Sequence, residues 1–253
     1  MTAPRAAEFD DWYANMQPSA RCAEIYQEYL GLPLGLESSS LLPWEGISTI
    51  MGSLDLAAGS TLLDLACGRG GYGLEIARRS GAALIGVDFS TVALARAREM
   101  VPNFGMGGRA EFLAGDLADT GLPSGSVDAV VCVDSVQFAD PPGAAILECK
   151  RVLRPGGRVA LTCWQPRDRH DERVPPRLRR IDLFTDLSSA GFSGVQVSEM
   201  EQWHAAERRL WEAALAEDAA GDPALLSMQH EAAQVLTTFD LMQRILVTAA
   251  APD

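Results

Sequence analysis

The chain has 253 residues, 34 acidic and 21 basic, and a net charge of -13 at neutral pH. That length suits one α/β domain with additions, or two small ones, and is enough to bury a substantial core. The acidic balance disfavours a broad footprint on nucleic acid or an anionic membrane, since both attract cationic surfaces, and leaves room only for a local basic loop.

The five cysteines, Cys22, Cys67, Cys132, Cys149 and Cys163, form no C-x-x-C pair and have no interleaved His. Neither a metal site nor a disulfide framework is expected, and a reducing cytoplasmic setting is. The segment MTAPRAAEFDDWYANM has no apolar signal core, and no run reaches the roughly 18 apolar residues of a membrane span. The expectation is a soluble, intracellular protein with no membrane partner.

Three helical patterns come first: Phe9, Trp12, Tyr13 and Met16 around 8–16; Cys22, Tyr26, Tyr29 and Leu30 over 20–30; and Trp44, Ile47, Ile50, Met51 and Leu54 over 44–57. They read as an N-terminal helical cap, residues 1–57. From residue 61 strand-like and helical runs alternate: TLLDLA and GGYGLEIARRS, ALIGVD and STVALARAREM, AEFLAG, VDAVVCV and PPGAAILECKRVL, then GRVALTCW. The strand runs are continuously apolar, as in a parallel sheet covered on both faces, so a doubly wound α/β fold is expected over 58–253. The Arg- and Pro-rich PRDRHDERVPPRLRR reads as a loop. Helix DLFTDLSSAGF, strand GVQVSEM, two amphipathic stretches within 201–240 that add to the cap, and a closing strand RILVTAAAP follow.

The loop after the first strand, Gly68-Arg69-Gly70-Gly71-Tyr72-Gly73, fits G-x-G-x-x-G, the dinucleotide fingerprint. Asp64, four residues before its first glycine, sits badly for a pyrophosphate. Each of the first three strands ends at or near an acid, Asp64, Asp88 and Asp116. In an open parallel sheet, ligands bind outside the carboxyl ends of the strands, so the three acids are expected to converge on one crevice. Asp88, twenty residues after Gly68, stands where an acid can accept from both hydroxyls of a ribose. A crevice with three carboxylates and no Lys in the loop suits a cation better than a diphosphate. S-adenosylmethionine carries a sulfonium and an ammonium and no phosphate.

At these residues the chain resembles the class I S-adenosylmethionine-dependent methyltransferases, of the small-molecule kind that includes the ubiquinone/menaquinone C-methyltransferases. The likeness covers 61 to about 163. LLDLACGRG is similar to the family's first motif, D-x-G-x-G-x-G, with Ala66 in place of its first glycine. The resemblance implies a Rossmann-like, mostly parallel seven-stranded sheet with an antiparallel last strand. It also implies that backbone around Ala66, Cys67 and Gly68 faces the methionine end, Asp88 holds the ribose, Phe89 packs on adenine, Asp116 accepts from the adenine amino group and Leu117 lines the base. Val133, Asp134, Ser135 and Gln137, after the fourth strand, would reach the methionine amino group and the active site. Gln137 stands where many members have His. Arg154-Pro155-Gly156-Gly157 is similar to the family's turn into the fifth strand.

Methyl transfer to an O, N or C atom of a small molecule is therefore the expected activity, with S-adenosylhomocysteine as product. Proximity and alignment can carry most of such a reaction, so no catalytic triad need be visible. Tyr13, Gln137 and His170 are the candidates for helping an acceptor that must lose a proton. Trp12, Tyr13, Trp44 and Trp164 could line a mostly apolar acceptor pocket. Asp64 could instead cap its loop by accepting backbone N–H groups, and the Phe9, Trp12, Tyr13 group could simply be cap packing. His170, His204 and His230 read as solvated or surface residues. Two competing functions stay open: a non-methylating member of the fold, such as a cofactor-binding sensor or a cyclase, and an NAD-dependent oxidoreductase.

Overall fold

The computed structural model describes residues 6–141 and 143–252; residues 1–5 of the expected cap, Pro142 of the expected sixth helix run and Asp253 lie outside them. Three helices open the chain: α1 (Ala6–Asn15), α2 (Ala20–Leu30) and α3 (Trp44–Leu54). The last stops short of residue 57 because Asp55 turns left-handed at φ 51°. The alternating core follows as β1 (Thr61–Leu65), α4 (Gly71–Ser80), β2 (Ala83–Asp88), α5 (Thr91–Met100), β3 (Ala110–Ala114), β4 (Val127–Val133), α6 (Ala144–Val152) and β5 (Leu153–Pro166). The Arg-rich stretch holds one helical turn, α7 (Pro176–Arg179), where a loop was expected; Pro175 and Pro176 preset the backbone for it. The chain ends with α8 (Leu183–Ser189), β6 (Ser193–Glu199), α9 (Glu201–Ala216), α10 (Pro223–Val235) and β7 (Met242–Ala250).

The seven strands lie in the order β3-β2-β1-β4-β5-β7-β6. Strands β1 to β5 pair in parallel, and β7 runs antiparallel between β5 and β6. The apolar runs are buried on both faces because successive side chains feed opposite cores. Leu62, Val131 and Leu246 enter one core with the cap helices, α4 and α9. Their neighbours Leu63, Val130 and Val247 enter the other with α6 and α8.

The cap is assembled from two distant stretches of chain. The Ser19 hydroxyl caps α2 by accepting from the Cys22 N–H, and donates to Asp222 Oδ2 at 2.6 Å. Asp222 in turn caps α10 by accepting from the Ala224 and Leu225 N–H groups. One hydrogen bond thus joins the N-termini of two helices about 200 residues apart. The strand order reverses between β1 and β4, so a crevice opens beyond their carboxyl ends.

Candidate active site

A cleft lies at that switch point, floored by Ala66, Asp88, Gly115 and Leu117 and walled by Ser135, Phe138 and Asp140. Helix α1 covers it. Phe9 packs against Phe89 with ring centroids 5.0 Å apart and edge-on to Phe138 at 5.9 Å. The Tyr13 hydroxyl lies over the loop; a Cβ at Gly68 would come within 2.7 Å of it. Asp10 fastens this helix, its Oδ1 accepting from the Ser90 hydroxyl at 2.6 Å and from the Val92 N–H at 3.2 Å, at the exposed N-terminus of α5.

The glycine loop is shaped by its neighbours rather than by a phosphate. A Cβ at Gly73 would fall 2.4 Å from Asp64 Oδ2, and one at Gly71 would fall 2.5 Å from the Glu37 carbonyl oxygen. The linker between α2 and α3 therefore lies on the N-terminus of α4. Arg69 holds it there, reaching Glu37 Oε2 at 3.2 Å and the Ser38 carbonyl at 2.7 Å. In a dinucleotide site that helix terminus faces the pyrophosphate; here a carbonyl oxygen occupies it, and among the described residues no Lys or Arg lines the cleft. The family's first glycine has become Ala66, which keeps the left-handed backbone at φ 60°, a conformation that costs a non-glycine residue about 1 kcal/mol.

Of the three acids expected to converge, Asp88 and Asp116 line the cleft. Asp64 is a correction. It is 3 % exposed, packed under α4 and hydrogen-bonded to the Gly73 N–H, with burial and the nearby Asp88 pushing its carboxyl up to about 7. It sits there because only glycine at position 73 lets the helix start so close to β1. Asp88 Oδ2 accepts from the Gly68 N–H at 2.8 Å and Oδ1 from the Ser90 N–H at 2.9 Å. A third backbone bond comes from Phe89. A carboxylate has about four acceptor positions, so capacity remains for a hydroxyl in the cleft. Phe89 and Leu117 border the same space as flat or apolar surface, and Asp116 accepts from the Ala118 N–H at 2.9 Å. Carboxylates at the ends of β2 and β3, an aromatic wall and no fixed cation fit an adenosine ligand bearing positive charge.

The remaining candidates scatter. Cys67 is half-buried, its thiol directed at the Gly68 carbonyl and pushed well up by burial. Val133 is buried in the core on the cap side of β4. Gln137 turns away from the cleft: its Nε2 donates to the Asp134 carbonyl at 2.6 Å, and the side chain borders a separate hollow with Ile146, Ile181 and Leu183 on the α6 and α8 face. The three-residue 3-10 turn Val136–Phe138 causes this, pointing Phe138 at the cleft and Gln137 behind it. His170 stands exposed on the loop after β5. Tyr13 does line the cleft, but burial lifts its hydroxyl to about 12, which makes it a donor rather than a base.

The tryptophans expected to share one pocket each have other neighbours. Trp12 is 45 % exposed and edge-on to Tyr13. Trp44 carries the Arg79 guanidinium on its face at 4.3 Å. Trp164 donates its Nε1–H to Glu207 and lies under Arg244 at 4.1 Å. His204, read as a surface residue, is half-buried and stacked on Phe239 at 4.1 Å, and burial lowers its pKa.

Sequence reasoning placed Ser135 at the site but missed Phe138 and Asp140 as walls, Asp10 as the fastening of α1, and the buried Glu207 and Arg244. Glu207 carried a signal: it falls on the apolar stripe of α9, four residues after Trp203 and four before Trp211, where a carboxylate needs a buried partner.

Comparison with known proteins places this geometry. Residues 63–161 match the family model described as a methyltransferase domain. The sterol 24-C-methyltransferase erg6 of Aspergillus fumigatus is 30% identical over 146 residues, covering 58% of this chain and 38% of that protein. The chain thus spans well under two thirds of the length of the curated relatives it matches. Among solved structures, the (4+2)-cyclase SpnF superposes with a TM-score of 0.75 at 22% identity, covering 100% of this chain and 98% of that one. The Streptomyces coelicolor geranyl diphosphate C-methyltransferase superposes with a TM-score of 0.72 at 16% identity, covering 99% of each chain. At such identities the superpositions establish the fold. The likeness reaches the class and stops short of the ubiquinone/menaquinone subgroup. Residues 63–161 thus match a methyltransferase domain, set within a fold shared with a cyclase and a C-methyltransferase.

Proposed function

We propose that this chain transfers a methyl group from S-adenosylmethionine to a small-molecule acceptor. The observation that carries the reading is Asp88, fixed at the end of β2 by three backbone N–H groups and still open to the cleft. Asp88 would hold the ribose hydroxyls, Phe89 and Leu117 would enclose the adenine with Asp116 at its amino group, and backbone from Ala66 to Gly68 would border the methionine portion. When bound, the cofactor supplies a methyl group already activated by its sulfonium. What the chain then has to contribute is alignment and a dry site, and proximity of this kind can be worth roughly 7–11 kcal/mol of barrier. Phe9, Tyr13 and Phe138 close the cleft against water, and the high pKa of Tyr13 keeps its hydroxyl a hydrogen-bond donor over Gly68.

The relatives act, by their names, on a sterol and on geranyl diphosphate, which supports an apolar small-molecule acceptor. The net charge of -13 argues against a nucleic-acid acceptor. Five free cysteines fit a reducing compartment, the cytoplasm, and among the described residues no helix is long and apolar enough to cross a membrane.

Titration of S-adenosylhomocysteine by calorimetry tests the reading. Asp88→Ala should weaken binding tenfold or more, since hydrogen bonds to a charged group are worth about 1.5–3 kcal/mol. Asp88→Asn, which keeps an acceptor oxygen for the loop, should weaken it less. Unchanged affinity in a folded Asp88→Ala variant contradicts the assignment.

A further inference from the structure

Strand β7 opens with an arginine inside an apolar run. Arg244 pairs in register with Trp164 of β5 and is 0% exposed. Its Nη2 donates to Asp134 Oδ2 at 3.0 Å, and its guanidinium lies 4.1 Å above the Trp164 ring. Nη1 is ion-paired with Glu207 Oε2 at 3.6 Å, too far for a hydrogen bond, and among the described residues neither Nη1 nor Nε has a hydrogen-bond partner. Glu207 cannot swing to meet them freely, because its oxygens already accept from the indole N–H groups of Trp164 and Trp211. Buried donors are nearly always satisfied, and each unmade bond costs about 1–3 kcal/mol, more on a charged group. Two on one fully buried arginine call for a ligand.

The place is informative. Asp134 ends β4 in a left-handed conformation at φ 55°, one residue before Ser135 in the cleft wall. Its Oδ1 accepts from the Thr162 hydroxyl at 2.8 Å. Its Oδ2 accepts from Arg244 and from the hydroxyl of Ser40, on the linker that covers the loop. The chain therefore already seats one alcohol on this carboxylate, beside a guanidinium with N–H groups to spare.

We propose that Asp134 and Arg244, next in the chain and in the sheet to the Ser135 wall of the cleft, take a neutral hydroxyl of the acceptor, its oxygen accepting from Arg244 and its O–H donating to Asp134 in place of Ser40. The charge balance selects a neutral group. One guanidinium faces two carboxylates, and burial pushes the Glu207 carboxyl up to about 7, so near neutrality the three groups sum to zero or less. An acceptor carboxylate or phosphate would find no surplus positive charge. This site deepens the methyl-transfer reading and rests on it for its occupant.

The test uses protein saturated with S-adenosylhomocysteine and two apolar scaffolds, each as alcohol, parent hydrocarbon and phosphate monoester: 1-naphthol, naphthalene and 1-naphthyl phosphate, and the corresponding geraniol series. Calorimetry should show the alcohols binding about tenfold or more tighter than the hydrocarbons and the phosphates. Arg244→Lys and Asp134→Asn, each assayed after S-adenosylhomocysteine has been re-titrated to saturation, should reduce that preference to about threefold or less. Arg244→Lys keeps the charge, so it guards against the unfolding that Arg244→Met risks by stranding two buried carboxylates. Equal binding of alcohol and hydrocarbon, tightest binding of a phosphate, or a preference that survives both variants overturns the proposal. Tight alcohol binding lost in both variants, with no methylated product from any acceptor when S-adenosylmethionine is supplied in place of S-adenosylhomocysteine, supports this site and contradicts the methyl-transfer reading instead.

Discussion

Asp64 shows how one side chain can carry a motif's geometry without lining the cleft. Its carboxylate fills the space that a side chain at Gly73 would need, and accepts that residue's N–H as α4 begins. Burial holds its pKa near 7, above the ordinary 3.8, so the folded state binds the proton more tightly than the unfolded one. The resulting stability is fully present below about pH 4 and is lost as the pH rises through 7. Asn at this position would keep an oxygen for the Gly73 N–H and never ionise. Asp64→Asn should therefore match the wild type near pH 4 and exceed it by about 4 kcal/mol at pH 8. Urea unfolding across that range measures it, and parallel stability curves would contradict the placement. At this scale the sequence was legible where backbone alone positions a residue, as with Asp88 and Leu117 after their strands. It was misleading where a turn decides direction, since the 3-10 turn at Val136–Phe138 sends Gln137 and Phe138 opposite ways.

Helix α1 contains no fully buried residue, and its hold on the cleft rests on a few contacts. Asp10 caps α5 from outside its own helix, through the Ser90 hydroxyl and the Val92 N–H, and places Phe9 against Phe89 and Phe138. A cap of this kind is worth about 1 kcal/mol. Asp10→Ala should loosen the cover, speeding S-adenosylhomocysteine dissociation about fivefold in stopped-flow displacement and hydrogen exchange across residues 6–15. Unchanged dissociation and exchange would mean that α1 does not gate the cleft. Element existence was readable from periodicity except at the single turn α7, because continuous apolar runs and 3.6-residue stripes leave little ambiguity. What periodicity could not give was the partner across space: Ser19 with Asp222, Asp10 with Ser90, and Arg244 with Asp134 are separated by 203, 80 and 110 residues.

For the molecule as a whole, the reversal of strand order beside β1 puts the cleft at the carboxyl ends of the central strands, and the cap helices share the hydrophobic core of one sheet face. Cap and sheet thus share one packed core; the sequence joined the cap's two parts, 1–57 and 201–240, but periodicity could not show which sheet face they cover. The same architecture superposes on a cyclase and on a methyltransferase, so fold cannot choose between them and chemistry must. The direct test supplies S-adenosylmethionine labelled in its methyl group together with small apolar alcohols and phenols, and in parallel with bulk RNA, DNA and protein. The expected result is label in a small molecule with matching S-adenosylhomocysteine, abolished by Asp88→Ala and absent from the polymers. Label entering a polymer but no small molecule, or turnover of an acceptor without S-adenosylhomocysteine, would contradict the account.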